Sequence, residues 1–95
     1  MKYFAWNAEK NEQLKSERGI SFEEVVFQIE NGDLLDEVAH PNMEKYPNQR
    51  MYVVRKGEYA FLVPFVQTGD EIFLKTIILN RKAAKLYIGD TNEEN

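Results

Sequence analysis

The side chains with the most chemistry to offer in this chain are cations with polar and aromatic companions. One group is Lys45, Tyr46, Asn48, Gln49 and Arg50; a second is Lys75, Arg81, Lys82, Lys85 and Tyr87. Cleavage of an RNA phosphodiester can run on such groups without a metal. The 2′-hydroxyl is an internal nucleophile already beside the phosphorus, so proximity supplies much of the acceleration. The protein must then hold the phosphate in line, neutralise the charge growing on its oxygens, and move protons. Arginine suits the second task because its planar fork grips two oxygens and stays protonated. Lysine, tyrosine, glutamate or histidine can serve the third. Arg50, Lys75 and Arg81 are the candidate charge holders, with Lys45, Tyr46, Lys82, Lys85, Tyr87 and His40 as candidate substrate contacts.

Other chemistries thin out quickly. With no cysteine and one histidine there is no thiol nucleophile and no set of N or S ligands for zinc, so no metal or cofactor is expected. The glycines stand singly at turns and helix ends instead of forming a phosphate loop. A Ser/His/Asp arrangement would need Ser16 or Ser21 with His40, and Ser21 is better placed as a helix cap.

Each cation also has a plainer role open to it. Arg50 opens a strand and suits a surface ion pair worth about 0–1 kcal/mol. Lys75 interrupts an apolar strand, where a solvated lysine is less expected. Arg81 sits in a first helical turn, where a cation opposes the helix dipole unless an anion lies nearby. Lys82 and Lys85 fit a solvated helix face, His40 a loop histidine bonded to backbone, and Tyr87 a core ring with its hydroxyl at the rim.

The chain has 95 residues and 11.2 kDa, is 43% hydrophobic, and carries a net charge of −4. That length suits one domain, and its aromatic content suits a packed core. No apolar run approaches the length of a membrane span and Met1-Lys2-Tyr3-Phe4 does not open a signal peptide, so a soluble cytoplasmic domain is expected. The charge is unevenly spread. Residues 1–40 hold nine acids and four bases, residues 41–89 eight bases and four acids. A local basic field on an acidic protein can still hold phosphates.

The elements that would carry these side chains follow from local pattern. Residues 3–6 form a short aromatic strand. Asn7 offers an N-cap to a polar helix over 8–18, stopped by Gly19. Its apolar face is only Ala8 and Leu14, so it belongs on the surface, held by Trp6 and Ile20. Ser21-Phe22-Glu23-Glu24 is a capping box, with Glu24 reaching back. Phe22, Val25, Val26 and Ile29 share one helical face, and Asn31-Gly32 closes that helix. A strand over 34–39 precedes a loop over 40–49 that holds Pro41 and Pro47, a length often functional. Strands over 50–55, 59–68 and 71–79 form an antiparallel meander. Pro64 cannot donate to a ladder, which predicts a bulge there. Asn80 caps a last helix over 81–88, and residues 90–95 should form a disordered acidic tail. The order β-α-α-β-β-β-β-α predicts an α+β domain over 1–89, a curved antiparallel sheet with helices on one side.

These residues carry a resemblance. Phe4-Ala5-Trp6-Asn7-Ala8-Glu9-Lys10-Asn11, then Lys15, then Arg18-Gly19-Ile20-Ser21-Phe22-Glu23-Glu24-Val25, resembles the start of BrnT-like toxins. There an F-x-W-D-x-x-K-x-x-x-N-like opening leads into K-H-G-[IV]-x-F-E-E-A. Gln49-Arg50 before a strand, and residues 77–87 against I-I-S-x-R-x-A-x-x-x-x-Y, are similar to the family's close. The likeness spans most of residues 4–87, through motifs that are each short. It implies a RelE-like fold and the RNA-cleaving toxin of a type II toxin–antitoxin pair. It also implies a ribbon-helix-helix antitoxin as partner, operator DNA bound only through that complex, and assembly as a homodimer or as a heterotetramer with the antitoxin. Arg50 matches the arginine of the family's E-x-R segment, Arg81 that of S-x-R, and Lys15 the lysine of K-H-G; each would be catalytic or phosphate-holding. Arg18 stands where the family usually has histidine, Asn7 where it has aspartate, and Thr76 where it has a strand arginine.

Two functions fit these observations. A ribonuclease toxin needs Arg50, Lys75 and Arg81 on one basic face, and the turn at Lys56-Gly57-Glu58 decides whether that face exists. A two-residue loop puts Arg50 and Lys75 on opposite faces, a three-residue loop on the same one. The alternative is a catalytically weak or inactive toxin-like module that docks a small antitoxin or regulatory partner. A DNA-binding role is disfavoured by the net charge and the lack of a recognition-helix pattern.

Overall fold

A computed structural model describes residues 1–89. The acidic tail expected over 90–95 lies outside the described residues. The chain runs β1 (Tyr3–Trp6), α1 (Ala8–Arg18), α2 (Phe22–Gln28), β2 (Leu34–Ala39), β3 (Gln49–Lys56), β4 (Tyr59–Thr68), β5 (Glu71–Leu74), β6 (Ile78–Leu79) and α3 (Arg81–Tyr87). Helix α2 continues through one wider turn, Ile29–Asp33, and closes on Gly32 at φ +92°, a backbone conformation that favours glycine.

Helix α1 is polar and starts because the Asn7 side chain accepts from the Lys10 amide at 2.9 Å. What joins it to α2 is Asn11, which is buried. Its Oδ1 accepts from the Phe22 amide at 2.8 Å and its Nδ2 donates to Glu23 at 2.7 Å. The first amide of α2, an orphan of every helix start, is thereby satisfied from the neighbouring helix. Only half of the capping box forms: Ser21 accepts from the Glu24 amide, but the Glu24 carboxylate turns away to Lys56, at 2.5 Å.

The sheet order is β1-β5-β4-β3-β2, with β6 also on β4. It is mixed and not purely antiparallel, because β1 runs parallel to β5. Tyr52, Val54, Val63, Phe65 and Leu74 point to the face covered by α1 and α2, where they meet Leu14, Phe22 and Val25. Trp6 stacks on Phe22 and Tyr52 on Phe65. The alternate residues Val53, Ala60 and Leu62 point the other way and pack on Ala83, Ala84 and Tyr87 of α3. The helices therefore cover both faces; one-sided packing is corrected by the period of two along β3 and β4.

Pro64 leaves β4 unbroken against β3, where it stands opposite Met51. The irregularity lies in the neighbouring strand. Phe65 pairs with Leu74 and Leu62 with Ile78, so Val63 and Pro64 face three residues, 75–77. The Pro64 carbonyl accepts from the Lys75 amide at 2.8 Å and has no N–H to return, so the ladder breaks and the strand expected over 71–79 splits in two.

Candidate functional site

Lys56 pairs with Tyr59, which leaves a two-residue turn, Gly57-Glu58. Gly57 takes φ +63° and, among the described residues, no other residue type has a positive φ, the pattern of a hairpin turn with glycine first. The register follows. Arg50 stands opposite Phe65 and shares the α1/α2 face with Tyr52. Lys75 follows Leu74 and lays its ammonium 5.4 Å from the Phe73 ring, on the opposite face. The common basic face expected of Arg50, Lys75 and Arg81 does not form.

Arg50 and Arg81 are also far apart along the sheet. Arg50 is opposite Phe65, whereas Leu79, two residues before Arg81, is opposite Phe61 on the other side of β4. Four residues of strand are about 13 Å, and two strand spacings add about 10 Å sideways. Arg50 is engaged where it stands: its Nε lies 2.8 Å from Glu37 Oε2, an ion pair about half exposed. Lys15 is likewise held, 3.1 Å from Glu12. Glu12, with the Glu23 charge behind it, keeps the Lys15 ammonium above lysine's ordinary range, which makes it a poor proton carrier at neutral pH.

The loop side chains gather at a third place. His40 and Tyr46 pack ring to ring at 4.5 Å, and the Lys45 ammonium sits 5.4 Å from the Tyr46 ring. Asn42 organises the loop by accepting from the Lys45 amide, while His40 Nδ1 accepts from the Asn42 amide at 3.0 Å. The His40 amide bonds the Gln49 carbonyl, so this cluster borders Arg50 through the backbone.

Around the bulge the arrangement differs. Arg18, in the last turn of α1, donates from Nη1 to the Ile77 carbonyl at 2.6 Å and covers a group that the broken ladder leaves unpaired. Lys15 lies one turn earlier on the same side of that helix. Lys75 enters the bulge, and Arg81 and Lys82 follow β6 directly, exposed on a helix whose Ala83 amide is capped by Asn80 at 2.7 Å. Lys85 continues that exposed side, and residues 72–89 contain no Asp or Glu. Among the described residues, no carboxylate bridges Arg18, Lys75, Arg81 or Lys82. Arg18 thus reaches the break between β5 and β6, and Lys75, Arg81 and Lys82 lie within a few residues of it along the chain. Tyr87 is spent on the fold: its hydroxyl donates to Asp36 at 2.6 Å and ties the end of α3 to β2.

The contacts of Arg18 and Asn11 are not visible in the sequence. A basic residue in a last helical turn is ordinary, and nothing local says that it reaches a carbonyl 59 residues away. Among the described residues, no three His, Asp or Glu side chains gather as a cation-binding group, and no helix is long and apolar enough to cross a membrane. No family model, curated protein or solved structure matches this chain.

Proposed function

We propose that this chain is an RNA-directed toxin of the toxin–antitoxin type, acting in the cytoplasm, whose phosphate-holding groups are Lys75, Arg81 and Lys82 at the bulged edge. The observation that supports it most is electrostatic. Arg50, Lys56 and Lys15 each hold a carboxylate, while Lys75, Arg81 and Lys82 hold none among the described residues. Unneutralised cations are the ones that attract a phosphate chain, despite a negative protein. In the cleavage step the 2′-hydroxyl gives its proton to water as its oxygen bonds to phosphorus, the bond to the 5′-oxygen breaks, and that oxygen takes up a proton from water. The products carry a 2′,3′-cyclic phosphate and a 5′-hydroxyl.

A second reading, a toxin-like module that docks an antitoxin or regulatory partner without cleaving RNA, is favoured by a specific observation. The edge has cations but no side chain that ordinarily titrates near neutrality, and His40 belongs to the separate loop cluster. One experiment divides the two. Expression without any partner should arrest growth and create RNA fragments with new 5′-hydroxyl ends, and Arg81→Glu should remove both. Normal growth with intact RNA leaves the docking module. Binding of a single-stranded RNA oligonucleotide should weaken with salt by about 0.7 log units per log unit for each phosphate held, and Arg81→Ala should lower that slope by about one contact.

A further inference from the structure

The outward side of α2 carries an aromatic ring among carboxylates. Phe22 and Val25 turn into the core, whereas Phe27 faces away and is 60% exposed. Glu23, Glu24 and Glu30, at i−4, i−3 and i+3, are its neighbours on the helix surface. Glu24 binds Lys56, and Lys56 stands opposite Tyr59, so the end of the β3–β4 hairpin meets the same side of α2. Tyr59 is 59% exposed. Leu34, 37% exposed, starts β2 directly after the turn that ends α2 and stands opposite Val54, two residues before Lys56 on one strand face. Phe27, Tyr59 and Leu34 thus border one region, with Glu30, Asp33 and Glu58 around it and its lysine already paired, while Glu23 is turned to Asn11 of α1. Single exposed apolar residues are ordinary, but grouped ones with a polar rim mark interaction sites.

We infer that this surface docks an amphipathic protein segment with an apolar stripe and Lys or Arg beside it. The rings and Leu34 would cover the stripe, and the carboxylates would face its cations. Charge selects this occupant. RNA or an acidic segment meets repulsion here, and a second copy in a two-fold contact would set the same carboxylates against each other. The inference stands apart from the RNA reading, because it uses another part of the molecule and the opposite charge.

The test is a titration of isotope-labelled protein, followed by amide shifts, with three short synthetic peptides: Lys/Leu amphipathic, Glu/Leu amphipathic, and Lys/Ser. The Lys/Leu peptide should move the amides around Phe27, Leu34 and Tyr59. Phe27→Ser should raise its Kd about tenfold or more, as expected when an aromatic anchor leaves a contact. Leu86→Ser, on the exposed side of α3, should leave that Kd unchanged, and unaltered amide positions elsewhere will show that both variants fold. The inference is overturned if Lys/Ser binds as tightly as Lys/Leu, or if Glu/Leu binds the same amides. A Phe27-dependent dimer without peptide, or displacement of the Lys/Leu peptide from these amides by an RNA oligonucleotide, would also overturn it.

Discussion

The two faces of the sheet are built differently. Under α1 and α2, eleven buried residues form one cluster, with Phe22, Leu14, Phe65 and Leu74 almost wholly enclosed. Under α3 the fully buried cluster is Val53, Ala60 and Ala83, with partly buried side chains around it. Alanine buries little apolar area, so the seven-residue α3 rests more on its Asn80 cap and the Tyr87–Asp36 bond than on packing. The charges divide in a similar way. Arg50 and Lys56, on the well-packed face, are neutralised by Glu37 and Glu24, whereas Lys75 and Arg81, beside the thin face, have no such partner among the described residues. Stability is concentrated on one face, and Lys75 and Arg81 keep their charge beside the other.

Substitutions can break that contrast, and the largest effect belongs to the thick core. Phe22→Ala should cost about 3–5 kcal/mol in denaturant unfolding. A loss below about 1 kcal/mol would show that the α1/α2 face does not carry the fold. Asn11→Ala should cost about 1–3 kcal/mol, because the buried Phe22 amide loses its acceptor and Glu23 its donor. Such a loss in a helix with almost no apolar face would show that the α1–α2 corner is held by hydrogen bonds.

On the thin face the expected changes are local. Tyr87→Phe should speed amide exchange across α3 while the α1/α2 core keeps its protection; uniform loss of protection would contradict the division between faces. Its pH dependence has two signs. The Tyr87 hydroxyl, helped by the Glu37 amide, holds Asp36 below the usual carboxylate range, so the unfolded chain binds the proton more readily there. That stability is present above the ordinary aspartate value and is lost as pH falls below about 4. Asp36 in turn raises the Tyr87 phenol, so the contribution is present below the ordinary tyrosine value and lost as pH rises past about 10. Tyr87→Phe should flatten both limbs of the exchange profile. The smallest effect is that of Arg50→Ala, about 0–1 kcal/mol, since its pair with Glu37 is half exposed. A larger cost would mean that this pair does more for the fold than surface geometry allows.

Much of the local architecture was legible in the sequence. The caps at Asn7, Ser21 and Asn80, the Gly19 stop and the apolar face of α2 are short-range signals, and each appears where the spacing places it. Pro64 was legible as a disturbance, but its location was not. A missing N–H affects whichever strand lies on that side, and sequence does not say which neighbour that is. Glu24 fits a capping box by spacing and instead meets Lys56, because tertiary folding brings a full positive charge within its reach. The candidate site was legible as a set of cations and illegible as a place. The two-residue turn at Gly57-Glu58 sent Arg50 and Lys75 to opposite faces, and Arg18 joined the edge from a helix far away in the chain.

By itself the amino-acid order determined the helices and every strand but the one that splits at 75–77, that one α+β domain forms, and that acids gather early and bases late. Those properties depend on contacts a few residues long, where backbone sterics, capping and apolar period act. Only the folded chain decided strand register, the face taken by each helix, and which cations remain without a counter-charge. These depend on pairings between residues remote in sequence, and a shift of one residue in a strand moves every side chain to the other side.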